Sequence, residues 1–152
     1  MINWQSLTYD ELTKDNLYDI AYERIQIFVK AQQRPYQELD AADKVAHHIL
    51  GYQDGHLVAY ARVFQTENHA TFGRVLTAPA VRGQGVGRQL MAQITAELTR
   101  DFAGQPVIIE AQVDKQHFYE KFGYRIDGAP FIFNQTPHIK MVRQEDRLQA
   151  AE

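Results

Sequence analysis

The 152-residue sequence contains no cysteine, which excludes a disulfide framework, a thiolate nucleophile and any cysteine-ligated zinc site. Nor are basic residues in excess: 16 Lys and Arg stand against 19 Asp and Glu, for a formal net charge of −3. The electrostatic footprint of a nucleic-acid binder is missing, and no nucleic-acid partner is expected. No apolar run approaches the roughly 20 residues that span a bilayer, and the opening Met1-Ile2-Asn3-Trp4-Gln5 carries no basic or apolar leader. The expectation is a cytoplasmic protein without a membrane partner.

The hydrophobic fraction of 45% and the charged fraction of 23% suit an ordinary single domain with a sizeable core. Residues 1–143 read as that domain and 144–152 as a polar tail. Alternation over residues 2–7 predicts a first strand. From Thr13, a credible N-cap, the period changes to 3.6: Leu17, Ile20, Ala21, Ile25 and Phe28 fall on one side of a helix that runs to about Gln32. Pro35 stops it. Asp54-Gly55 between two apolar runs predicts a hairpin, and residues 72–77 add a third strand to the meander.

Strand 72–77 ends at Ala78-Pro79, and Gly83, Gly85 and Gly87 then open a helix over residues 86–100 whose buried stripe is Val86, Leu90, Ile94 and Leu98. Glycine permits positive φ and close approach of a ligand, and the first turn of a helix presents unpaired N–H groups. Such a turn suits a phosphate, with Arg82 and Arg88 as guanidinium partners. A P-loop would close on Gly-Lys-Ser/Thr, but Gly87 is followed by Arg88-Gln89. A Rossmann fingerprint would place its third glycine at three residues, not two.

Arg82-Gly83-Gln84-Gly85-Val86-Gly87 resembles the Gln/Arg-x-x-Gly-x-Gly/Ala motif of the GNAT superfamily of acyl-CoA-dependent N-acetyltransferases. A second stretch, Phe118-Tyr119-Glu120-Lys121-Phe122-Gly123-Tyr124, resembles that family's Phe-Tyr-x-x-x-Gly-Phe/Tyr signature. Arg24, Phe28, Val29, Gln32, Tyr36, Glu38, Asp40, Asp43 and Pro137-His138-Ile139 are similar to its ElaA-like branch, with Ala31 where that branch usually has glutamate.

The resemblance implies a single-domain α/β (mixed α+β) fold with a mixed central sheet and flanking helices. It implies an enzyme that moves an acetyl group from acetyl-CoA to a primary amine, such as a small amine, a lysine or an N-terminal amine. With no cysteine for an acyl-enzyme, attack within a ternary complex is direct. Coenzyme A binding would fall to Leu76, Thr77, Arg82, Gly83, Gln84, Gly85, Val86, Gly87 and Arg88, and protonation of the leaving thiolate to Tyr119. An amide near residues 75–77 would meet the oxyanion, and strands 72–77 and 107–111, parallel through a right-handed crossover, would splay to admit the pantetheine arm. No metal is expected, and the resemblance allows a homodimer. The alternative is a non-catalytic acyl-CoA sensor on the same fold.

The general base stays open among Glu110, Glu38, Asp40, His47, His48, His117, His138 and water. The acids between Arg34 and Lys44 read either as a solvated loop or as a negative rim that attracts a cationic amine.

Overall fold

Asp54 and Gly55 take φ of 51° and 78°, the paired positive values of a type I′ turn, and join β2 (His47–Gln53) to β3 (His56–Gln65). The computed structural model describes residues 1–34 and 36–145. The helix stop at Pro35 and the tail over 146–152 lie outside the described residues.

β1 (Asn3–Thr8), β2, β3 and β4 (Ala70–Thr77) form one antiparallel sheet in that order. The second sheet contains β5 (Ile108–Gln112), β6 (Tyr124–Ile126), β7 (Phe131–Phe133) and β8 (Thr136–Arg143), and β8 pairs with each of the other three. Among the described residues a single parallel bridge, Ala70 to Val107, joins the two halves, backed by the Ala70 amide donating to Pro106 O at 2.9 Å. The mixed sheet is thus two antiparallel halves hinged at the start of β4, and past the hinge β4 and β5 diverge.

Helices cover both faces of the first sheet. α1 (Lys14–Arg24) starts at Thr13, whose hydroxyl accepts the Asn16 amide at 3.0 Å while Asn16 Oδ1 accepts the Thr13 amide at 3.0 Å. Ile20 and Phe28 pack against Leu50, Leu57, Tyr60 and Leu76. On the opposite face, α2 (Val86–Asp101) buries Val86, Leu90, Ile94 and Leu98, the expected stripe, against Ile49, Ala61, Val63 and Met141. Burial of each such side chain contributes about 1.5–3 kcal/mol.

The first helix departs from expectation in its second half. Ile25–Lys30 is π-helical, with the Ala31 amide bonded to Gln26 O and the Arg34 amide to Val29 O at five-residue steps. The inward position beside Ile20 goes to Arg24, which is fully buried, while Ile25 is 40% exposed.

Candidate active site

The strand that leads into the glycine turn is bulged. Tyr60 pairs with Leu76 and Arg62 with Gly73, so Arg74 and Val75 of β4 together oppose Ala61 alone. Arg74 adopts a φ of 52° to make the kink. A bulge leaves ladder groups unpaired and turns the strand, which adds to the divergence from β5 at the region expected to offer an oxyanion amide.

Gly83 and Gly85 have φ of 80° and 77°, and Gly85 is the N-cap of α2, with no side-chain cap. The amides of the first turn are left for a ligand. Gly87 does not share this geometry: it lies within α2, where a Cβ would make ordinary contact with the Phe118 ring at 3.4 Å. Phe118 belongs to α3 (Gln116–Glu120) and stacks edge-on against Tyr119 at 5.2 Å between centroids, while Phe72 of β4 lies 5.9 Å from Tyr119.

Between the two half-sheets lies a cavity of about 1410 Å³, lined by Leu76, Thr77, Arg82, Gly87 and Tyr119 among the expected site residues. Arg82 Nε donates to Thr77 O at 3.3 Å. Gly83, Gly85 and Arg88 do not line it, and Gln84 and Val86 face a smaller cavity of about 320 Å³ on the other side of the turn. The Val86 side chain is core; its contribution to a ligand would be its amide. Tyr119 is 8% exposed, and its hydroxyl bonds to no described residue. Burial raises its pKa, so it stays protonated.

Of the acids of the 34–44 segment, Asp40 keeps a 38% exposed side chain at the cavity wall, while the other two are not solvated. Glu38 and Asp43 are 5% and 6% exposed because they neutralise arginines that the fold has buried. Arg24 bonds through Nε to Glu38 and through Nη1 to Asp43 Oδ1 at 2.6 Å. Arg62 Nη1 reaches Asp40 at 2.6 Å and Asp43 at 3.0 Å, and Arg74 reaches Glu38 at 2.9 Å and Asp40 at 3.5 Å. Burial would raise the Asp43 carboxyl, but the Arg24 hydrogen bond and charge outweigh it and hold it below its usual range. Tyr36 donates to Glu38, and burial, then that bond, pushes its pKa up to about 12. His48 accepts from Tyr60 OH at 2.6 Å and donates to Asp43 O at 2.8 Å, and burial lowers its pKa.

This accounting thins the candidate bases. Glu38 and Asp40 are committed to arginines, His48 is sealed in the cluster, and neither His47 nor His117 lines the cavity. Glu110 and His138 do. His138 is 6% exposed, and its Nδ1 lies 2.8 Å from Thr136 O, which fixes the proton on Nδ1 and leaves Nε2 as the basic nitrogen. The expectation of no metal meets one group among the described residues, His47, Glu97 and Asp101, whose ligand atoms lie within 4.8 Å of one another. Arg100 already contacts both carboxylates, at 3.2 and 3.4 Å. No helix among the described residues is long and apolar enough to cross a membrane.

Comparison with known proteins gives a consistent result. The family model for the acetyltransferase (GNAT) domain matches residues 16–145. The chain is 36% identical to protein ElaA of Escherichia coli over 149 residues, 95% of this chain and 97% of that one. The crystal structure of E. coli ElaA superposes with a TM-score of 0.89, covering 94% of this chain and 99% of that one. An acyl-CoA N-acyltransferase from Pseudomonas aeruginosa, 34% identical with the same coverages, also superposes with a TM-score of 0.89. A GNAT family acetyltransferase from Elizabethkingia anophelis, solved with acetyl-CoA bound, is 14% identical with a TM-score of 0.60 over 93% of this chain and 94% of that one, a likeness of fold.

Proposed function

The chain belongs to the GNAT acetyltransferase domain family, and from that premise we propose that it transfers an acetyl group from acetyl-CoA to a primary amine by direct attack in a ternary complex. The observation that carries the reading is the uncapped start of α2 behind two positive-φ glycines, beside a cavity whose wall holds Tyr119. The amides of the first turn and the Arg82 and Arg88 guanidiniums bind the pyrophosphate. Leu76 and Thr77, past the bulge, pair with the pantetheine arm, and an amide of the same stretch stabilises the charge on the carbonyl oxygen. Tyr119 donates its proton to the departing thiolate, whose ordinary pKa of about 8.5 lies below that of a tyrosine. His138 Nε2 takes the proton of the attacking amine. The absence of cysteine removes the usual thiol acyl carrier and favours the direct route.

Calorimetric titration with acetyl-CoA and with adenosine diphosphate, followed by thiol release against a panel of amines, tests the reading. Selective binding of acetyl-CoA with amine-dependent release supports it. Binding without release favours a non-catalytic acyl-CoA sensor. Gly85→Glu is expected to keep the fold, since a Cβ there meets nothing within 4 Å and a side chain at left-handed φ costs about 1–2 kcal/mol. It should abolish acetyl-CoA binding, and unchanged affinity would remove the glycine turn from the site.

A further inference from the structure

We propose that Arg34 binds a carboxylate of the acceptor, so that the amine acetylated is one that also carries a negative charge. The inference rests on the acyl-transfer reading and gives its acceptor a chemical class. The cavity wall around the 34–44 segment, and the layer behind it, hold two sets of arginines. Arg24, Arg62 and Arg74 are matched by Glu38, Asp40 and Asp43, three guanidiniums against three carboxylates in one network, which leaves no net charge for a ligand.

Arg34 stands outside that balance. It is 5% exposed and lines the same cavity, yet no carboxylate pairs with it among the described residues. Its Nε donates to Asn134 O at 2.9 Å and its Nη1 to Gln32 Oε1 at 2.7 Å, and the Tyr36 ring lies 4.8 Å from Cζ. Two of its five N–H donors are used, and the other three have no acceptor among the described residues. A buried charge is expensive unless it is paired. The neighbours that fix this guanidinium are neutral: Gln32, itself held by Gln112 Nε2 at 3.2 Å, a backbone carbonyl and a phenol ring. They orient the fork without cancelling its charge. With Nε committed to Asn134 O, the Nη1/Nη2 edge is the one that can meet a carboxylate. A purely cationic amine beside Arg34 would meet an uncompensated cation.

The test compares matched amines that differ by the carboxylate alone, lysine against cadaverine and β-alanine against ethylamine, by acetyl-CoA-dependent thiol release. Wild type is expected to favour the carboxylated member at least tenfold in kcat/KM, mostly through KM. Arg34→Gln should bring the ratio close to one. Because Arg34→Gln removes a buried anchor, Gln32→Glu serves as a second variant: it places a carboxylate on the Nη1 already 2.7 Å away, so the charge is matched within the protein and the fold is retained, and it should erase the preference equally. A preference for the amines without carboxylate, or one that survives in both variants, overturns the proposal. If no amine is acetylated, calorimetric binding of glutarate decides the matter independently of transfer. Binding to wild type that both variants lose upholds the carboxylate site while the transfer reading falls, and no binding to wild type overturns the site.

Discussion

Replacing Asp43 by asparagine exchanges one carboxylate oxygen for an NH2 group inside the buried ion cluster. Asp43 Oδ1 accepts from Arg24 at 2.6 Å and from Arg62 at 3.0 Å, while Oδ2 accepts from the Asp40 amide at 3.0 Å and from Arg24 at 3.3 Å. Both oxygens face donors only, so whichever way the amide is turned its two N–H groups meet other N–H groups. Arg24, 0% exposed, is left with Glu38 alone. Breaking a buried pair by removing one partner costs about 3–5 kcal/mol, and at about 2–4 °C per kcal/mol for a domain of this size the melting temperature should fall by about 6–20 °C.

Asp40→Asn is the internal control. Its side chain is 38% exposed, so water replaces much of what is lost and the cost should stay near 1 kcal/mol. Calorimetric melting at pH 7, checked by urea midpoints at constant slope, reads both. The acid limb gives a second test. The folded pKa of Asp43 is lowered, so its stabilisation is fully present above the unfolded value of about 3.9 and is lost as pH falls through the lower folded value. Wild type and Asp43→Asn should differ from neutral pH to about 4 and converge below it. Equal costs for the two variants, or a difference that ignores acid, would refute the claim that these acids serve the buried arginines.

Two further predictions concern turnover. Tyr119→Phe deletes one oxygen without disturbing the Phe72 and Phe118 contacts, and should lower kcat about 10²-fold with KM for acetyl-CoA little changed; unchanged steady-state turnover would leave Tyr119 a packing residue. His138→Asn keeps a donor at the Nδ1 position for Thr136 O but loses the basic Nε2, and should lower kcat with KM for acetyl-CoA little changed; an unchanged kcat would pass the role to Glu110 or water.

The elements that could be read from the sequence are those whose local chemistry is self-sufficient. Asp54-Gly55 makes its turn without help, Thr13 and Asn16 cap each other, and Val86, Leu90, Ile94 and Leu98 fall in line because α2 is regular from end to end. What escaped was decided at a distance. A 3.6-residue period places Ile25 inward, but Arg24 takes the buried position because Glu38 and Asp43 pair with it, and the π-helical stretch from Ile25 to Lys30 has no glycine or proline to announce it. The bulge at Arg74 has no signal beyond the neighbouring Gly73: a non-glycine residue holds φ of 52° while its guanidinium is anchored on Glu38 and Asp40. Gly87 resembles its two neighbours in sequence, but the positive φ falls on Gly83 and Gly85 alone of the three, because α2 has already begun at Val86.

The same distinction reverses the electrostatics of the 34–44 segment. By composition the 34–44 segment is acidic, and an acidic segment near a cleft suggests a cation as its partner. Charge in a folded site is set by pairing, however, and the partners of these acids are supplied from α1, β3 and β4: Arg24, Arg62 and Arg74. Each is buried or nearly so, each would be costly alone, and together they consume the three carboxylates. Arg34, the first residue of the segment, is a buried charge that no described neighbour cancels. A loop whose sequence points to a cationic ligand therefore presents an unpaired cation to the cavity, and the sign of the group it recognises follows from the residue left over once the ion pairs are drawn.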